Sequence, residues 1–256
     1  MTITKSSASE GAALDLRGQQ CKVAVVTGAS RGIGLDLAKK LIAKGYRVIA
    51  NSRHITSGTL PENDYMQLVS GDIGKPSVAE QAVDAAIRKF GRIDLLVNNA
   101  GVLIPKPFTE YTVEDFRSVI ETNLAGFFHA SQFAVTRMRA QKSGHVVNIT
   151  ASIANQPVAG LPAALCSLSK GGLESVTRAL AIEYAGDGIR FNAIAPGVVN
   201  TPMHSAAAHD SLRRLSPLGR MAEAEEVTEM VLYLESAHFI NGEVVHLDGG
   251  AHAGRW

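Results

Sequence analysis

Seven short runs of apolar and β-branched residues recur along the chain, at Lys22 to Thr27, Arg47 to Asn51, Met66 to Ser70, Asp94 to Asn98, His145 to Ile149, Arg190 to Ile194 and Glu243 to Leu247. Most are apolar at consecutive positions, as expected of strands covered on both faces. The stretches between them carry helical ends. Ile33 to Lys44 stops at Gly45, a residue suited to the left-handed turn that closes a helix. Thr112, with Glu114 and Asp115 in the following turn, opens a long helix running towards Gln141. The segment His54 to Asp64 is polar, holds Gly and Pro and has no helical period, so the crossover between the second and third strands is predicted to be a loop. Strands alternating with helices predict an α/β fold, a doubly wound parallel sheet in one domain spanning residues 20–256. Residues 1–19, rich in Ser, Ala and Gly and without periodicity, predict a flexible N-terminal arm.

Composition narrows the function. The 256 residues are 46% hydrophobic and 19% charged, enough apolar material for one sizeable core. The formal net charge is +1 with acids and bases interspersed, which offers no polybasic face for nucleic acid or an anionic membrane. The expected partner is a small molecule. The first twenty residues lack the apolar core of a signal peptide and no later run is long enough to span a bilayer, so the predicted location is cytoplasmic. Two cysteines, Cys21 and Cys166, make a disulfide framework implausible and fit a reducing compartment. Eight histidines show no metal-ligand spacing, and no metal is expected.

The first strand runs into Thr27-Gly28-Ala29-Ser30-Arg31-Gly32-Ile33-Gly34, which opens a helix. Glycines there permit a tight turn and close backbone approach, while the helix N-terminus presents N–H groups and a positive dipole end to a pyrophosphate. That strand–loop–helix context points to a Rossmann-type dinucleotide site. The second strand ends Ala50-Asn51-Ser52-Arg53. An NAD site wants an acid here to accept from the ribose 2′-hydroxyl, whereas NADP(H) wants a cation and no acid. Ser52, Arg53 and the loop's Arg31 supply hydroxyl and guanidinium groups for a 2′-phosphate, so the expected cofactor is NADP(H).

Further motifs follow in order: Asn98-Asn99-Ala100-Gly101 after the fourth strand, Asn123 in the long helix, Pro196-Gly197-Val198-Val199-Asn200-Thr201-Pro202 after the sixth, and Asn241 to Gly250 at the end. Together with the glycine loop they resemble the short-chain dehydrogenase/reductase family over residues 20–250. The resemblance implies that Asp72 and Ile73 flank the adenine and that Asn99, Ala100 and Gly101 line the adenosine ribose. It implies that Pro196, Gly197, Val199 and Thr201 hold the nicotinamide carboxamide and pyrophosphate. It also implies a homo-oligomer, tetramer or dimer, joined through Val113 to Gln141, Leu161 to Ala185 and Glu243 to Leu247, and a specificity lid at Met203 to Pro217.

The family's catalytic pair is Tyr-x-x-x-Lys with a serine opposite and an asparagine holding a relay water. Lysine lowers the phenol pKa from about 10 so that it can pass a proton near neutral pH, and the serine adds a hydrogen bond to the same oxygen. The matching stretch here is Cys166-Ser167-Leu168-Ser169-Lys170, with cysteine in the tyrosine's place, and no tyrosine occurs between Thr112 and Glu183. The serine position falls on Ala151, leaving Ser152 as first candidate and Thr150 as second. The resemblance thus assigns Asn123, Ser152, Cys166 and Lys170 to the catalytic position, with Lys170 also holding the nicotinamide ribose. A thiol of pKa about 8.5 beside Lys170 would be pushed towards thiolate, which cannot donate a proton; the reading preferred for Cys166 is a small buried residue that fills the space of the missing ring. Two functions follow: an NADP(H)-dependent oxidoreductase with atypical proton delivery, acting on a small carbonyl or alcohol, an imine or an activated alkene, or a catalytically impaired NADP(H)-binding sensor or subunit.

Overall fold

In the computed structural model, residues 21–254 are described; the arm expected at residues 1–19 lies outside them. The first strand, β1 (Val23–Thr27), shows how the sheet is built. Val23 and Val25 point into one core layer while Ala24 and Val26 point into the other, because successive strand side chains leave opposite faces. The chain continues through α1 (Gly32–Ala43), β2 (Arg47–Ser52), β3 (Met66–Ser70), α2 (Pro76–Phe90), β4 (Leu95–Asn98) and α3 (Val113–Val119). It then passes through a π-helical turn (Ile120–Ala125) to α4 (Gly126–Gln141), β5 (Gly144–Ile149), α5 (Ala164–Glu183) and β6 (Ile189–Pro196). The last elements are β7 (Val199–Asn200), α6 (His209–Leu212), β8 (Ala222–Glu223), α7 (Ala224–Ser236) and β9 (Val244–Leu247).

Seven strands form one parallel sheet in the order β3-β2-β1-β4-β5-β6-β9, and β7 pairs with β8 in a separate two-stranded ribbon. All seven strands expected from the apolar runs are present. One face is covered by α2, α4 and α5, the other by α1 and α7, whose Leu37, Leu41, Val227 and Val231 are fully buried. The connection between β2 and β3 contains no helix, as its polar composition predicts. Thr112 caps α3 with its side chain accepting from the Asp115 N–H, and Asp115 accepts in return from the Thr112 N–H.

One element departs from expectation. The long helix from Thr112 is not uniform, because six residues centred on Asn123 widen into a π turn before the regular helix resumes. Such turns interrupt the regular hydrogen-bond ladder and redirect the side chains they carry. The strand order reverses between β1 and β4, which opens a crevice at the C-terminal ends of the strands.

Candidate active site

The crevice is a continuous cleft of about 580 Å³ lined by the loops that leave β1, β2, β3, β4, β5 and β6 and by residues of the Met203–Pro217 segment. At its floor lies the glycine loop. Gly28 and Gly32 adopt left-handed backbone angles (φ +68° and +54°) that a side chain would strain. A Cβ on Gly34 would lie 2.4 Å from the Gly28 carbonyl oxygen, and one on Gly28 would lie 2.9 Å from the Ala100 Cα. The loop is stitched to its neighbour by Thr27 and Asn99: the Asn99 and Ala100 N–H groups donate to Thr27 Oγ1, and Asn99 Nδ2 donates to the Thr27 and Gly28 carbonyls. Asn99 is therefore spent on shaping the loop as well as lining the cleft. No side chain caps the N-terminus of α1, whose first N–H groups face the crevice region as a cradle suited to phosphate oxygens.

Beside the cradle, the Ser30 and Ser52 hydroxyls share a 2.8 Å hydrogen bond that ties the glycine loop to the end of β2. Arg31 and Arg53 are exposed on the cleft wall, and neither guanidinium has an ion-pair partner among the described residues. Two unpaired cations next to hydroxyls, with no acid at the β2 end, fit a terminal phosphate. Asp72 and Ile73 line the opposite wall, where Asp72 Oδ1 accepts from the Gly74 N–H. Ile33, Ala100, Gly101, Pro196, Gly197, Val199 and Thr201 also line the cleft; Gly34 lies behind it, packed on Gly28.

At the far end stand Cys166 and Lys170, one helical turn apart on α5, with Ser152 opposite. Lys170 is 8% exposed and its Nζ donates to the Ile149 carbonyl at 2.7 Å. Burial pulls its pKa below the ordinary lysine value, against the opposing pull of Cys166. Cys166 is 5% exposed, and burial raises its thiol pKa despite the neighbouring lysine. The push of Lys170 towards thiolate is thus overcome: desolvation of the charged form outweighs the attraction of an ammonium that is itself destabilised by burial. The side chain stays a protonated thiol at neutral pH.

The two hydroxyl candidates separate clearly. Thr150 Oγ1 donates within a buried cluster, 3.0 Å from Glu174 Oε1 and 3.1 Å from the Ile194 carbonyl oxygen. Ser152 lines the cleft and its hydroxyl has no hydrogen-bond partner among the described residues. Asn123 sits in the π turn, 2% exposed, accepting from the Val102 N–H at 2.8 Å and donating to the Val102 carbonyl and Ser169 Oγ. Its side chain pins the Gly101–Val102 backbone that walls the cleft instead of facing the cleft itself. The two remaining tyrosines nearby do not substitute for a ring at position 166: Tyr111 donates to the Ile104 carbonyl and Tyr184 packs against Phe191, and neither lines the cleft.

Sequence reasoning missed Glu174. This carboxylate, 1% exposed on α5 one turn past Lys170, accepts from the Thr150 hydroxyl and the Asn155 amide and so holds the connection that presents Ser152. A lone glutamate in an amphipathic helix gives no sign of such burial.

The comparisons agree with this geometry. A family model described as enoyl-(acyl carrier protein) reductase matches residues 28–252. The chain is 35% identical over 245 residues to an acetoacetyl-CoA reductase of Acinetobacter sp. (strain RA3849), covering 90% of this chain and 98% of that protein. It is 33% identical over 250 residues to 3beta-hydroxysteroid dehydrogenase 1 of Eggerthella lenta, covering 92% and 94%. The solved structure of ElxO with NADP bound superposes with a TM-score of 0.84 at 26% identity, covering 91% of this chain and all of that one. The chain belongs to the short-chain dehydrogenase/reductase family, with Cys166 on α5 where that family has its catalytic tyrosine.

Proposed function

We propose that the protein is an NADP(H)-dependent oxidoreductase that reduces a small carbonyl, imine or activated alkene with proton delivery altered by the loss of the tyrosine. One observation carries the reading: a single cleft runs from the unpaired Arg31 and Arg53 to Lys170, joining a phosphate site to the retained lysine. The bound nicotinamide would supply a hydride. Arg31, Arg53, Ser30 and Ser52 would hold the 2′-phosphate, the α1 N-terminus the pyrophosphate, and Lys170 the ribose beside the nicotinamide. Ser152 would donate a hydrogen bond to the substrate oxygen, while Asn123 and Glu174 fix the walls on which Gly101 and Ser152 sit. Holding donor and acceptor at reacting distance accelerates the reaction even with weak acid assistance. The walls beyond Cys166, formed by Leu103, Ile153, Val158, Leu161, Leu212 and Leu215, favour an apolar substrate.

The partner is a small molecule; among the described residues no helix is long and apolar enough to cross a membrane. Exposed Val113, Phe116 and Phe128 on the long helix and Leu168 on α5 support assembly into a homo-oligomer through those helices. The test is NADPH oxidation across a panel of apolar ketones, cyclic iminium ions and activated alkenes. Turnover with some member is expected; its absence throughout, with NADPH still bound, would favour a sensor or inactive subunit.

A further inference from the structure

We propose that His204 delivers the proton to the substrate oxygen in place of the missing phenol, a role that rests on the reductase function proposed above. Among the polar side chains that line the cleft from Ile149 onwards, the Thr150 and Thr201 hydroxyls do not ionise, and the others are Ser152, Gln156, Cys166, Lys170 and His204. Ser152 and Gln156 do not ionise near neutrality. Cys166 is held protonated by burial, and Lys170 is buried and donates to the Ile149 carbonyl. His204 remains.

Its position is built by the segment that follows β7. The His204 N–H donates to the Thr201 carbonyl at 3.0 Å, and the Met203 N–H reaches Thr201 Oγ1 at 3.4 Å. Thr201 in turn packs against Gly32 of the glycine loop, so close that a Cβ there would lie 3.2 Å from its side chain. This turn ties His204 through Thr201 to the glycine loop. Its ring makes no hydrogen bond among the described residues, and the residue is only partly buried, which leaves a path for solvent to restore the proton. Burial, followed by the charge of His209 on α6, pulls its pKa below 6.5. Of the other charged groups around it, Arg213 and Asp210 of the lid pair with each other at 3.2 Å, while Lys170 and the Cys166 thiol belong to α5 across the same cavity.

In the reducing direction a bound NADPH would supply the hydride that bonds to the carbonyl carbon, with the π electrons of the C=O bond moving to oxygen. That oxygen takes the proton from the His204 imidazolium, whose N–H bond breaks as the O–H bond forms, and water returns a proton to the neutral ring. Since the acid must be protonated, reduction slows as pH rises through the His204 pKa.

The test compares wild type with His204→Gln and Lys170→Ala. Its readouts are kcat and KM against pH for the best substrate of the panel, NADPH binding by fluorescence, and the His204 ring titration by NMR without substrate. We expect His204→Gln to lower kcat by ~10²–10⁴-fold, to flatten the fall in rate above that pKa and to leave NADPH affinity unchanged. The kinetic pKa should coincide with the NMR value. An active wild type with unaltered kcat and pH profile in His204→Gln would overturn the role of His204 alone, as would a limb that persists in His204→Gln and vanishes in Lys170→Ala. A wild type that binds NADPH and reduces nothing would overturn the reductase function and the role of His204 with it.

Discussion

Glu235→Gln should destabilise the fold by about 3 kcal/mol at pH 7 and by progressively less as the solution is acidified. Glu235, on α7, is almost fully buried at the N-terminal end of the sheet, opposite the cleft. Its Oε1 accepts from Lys22 Nζ at 2.8 Å and from Tyr46 Oη at 3.3 Å, its Oε2 lies 2.8 Å from His145 Nδ1, and Arg190 Nη2 is 3.7 Å away. Burial pushes the carboxyl pKa up, but the hydrogen bonds of His145 and Lys22 and the Lys22 charge win and bring it from 4.5 to about 2; burial lowers the His145 pKa, so that ring contributes chiefly through its 2.8 Å bond. At ~1.4 kcal/mol for each tenfold change in proton affinity, that depression corresponds to about 3 kcal/mol of stability. Because the folded-state pKa is the lower one, this contribution is complete above pH 4.5 and disappears as pH falls from there towards 2. Arg190 keeps its hydrogen bonds to the Leu234, Glu235, Ala237 and Ile240 carbonyls, so the variant removes from it only the attraction of a carboxylate 3.7 Å away. Urea denaturation followed by far-UV circular dichroism at pH 7, 5 and 3 measures the gap between wild type and variant. NADPH binding at pH 7 should be unchanged because the cluster is remote from the cleft. A gap below about 1 kcal/mol at pH 7, or one that stays constant between pH 7 and pH 3, would refute the reasoning.

Two other predictions concern the cleft. Arg53→Ala should weaken NADPH binding by about 10- to 100-fold, the loss expected for charge-assisted hydrogen bonds of about 1.5–3 kcal/mol, while NADH binding stays level; isothermal titration with both nucleotides checks it, and equal losses would show that Arg53 does not read the 2′-phosphate. In the native protein at pH 7.5, iodoacetamide should label Cys21 well before Cys166, because burial both shields the Cys166 sulfur and raises its thiol pKa; peptide mapping after timed quenching would expose the opposite order.

How far the sequence discloses the molecule depends on the range of the interaction concerned. Strands such as Val23–Thr27 were legible because burial on both faces writes itself as consecutive apolar residues, and the Thr112 cap because Asp115 lies only three residues on. The glycine loop was legible because close backbone approach leaves no alternative to glycine at Gly28 and Gly34. The π turn at Asn123 was not, since the residues that widen it also fit a regular helix. Burial set by distant partners was equally hidden: Glu174 finds Thr150 and Asn155 across the β5–α5 connection, and His145 meets Glu235 ninety residues further on. The same reason explains the ionisation of Cys166. Proximity to Lys170 is visible in the sequence, whereas the desolvation that dominates both groups exists only in the fold.

The absence of a phenol above Lys170 leaves the central claim, hydride transfer from NADPH, open to direct measurement. Wild-type protein would be incubated with the substrate panel and NADPH carrying deuterium on one face of C4, and the products analysed by mass spectrometry. One product is expected to gain a single deuterium, from one face of the nicotinamide only, and Lys170→Ala to reduce its yield sharply. NADPH bound tightly with no deuterium in any product would contradict that claim.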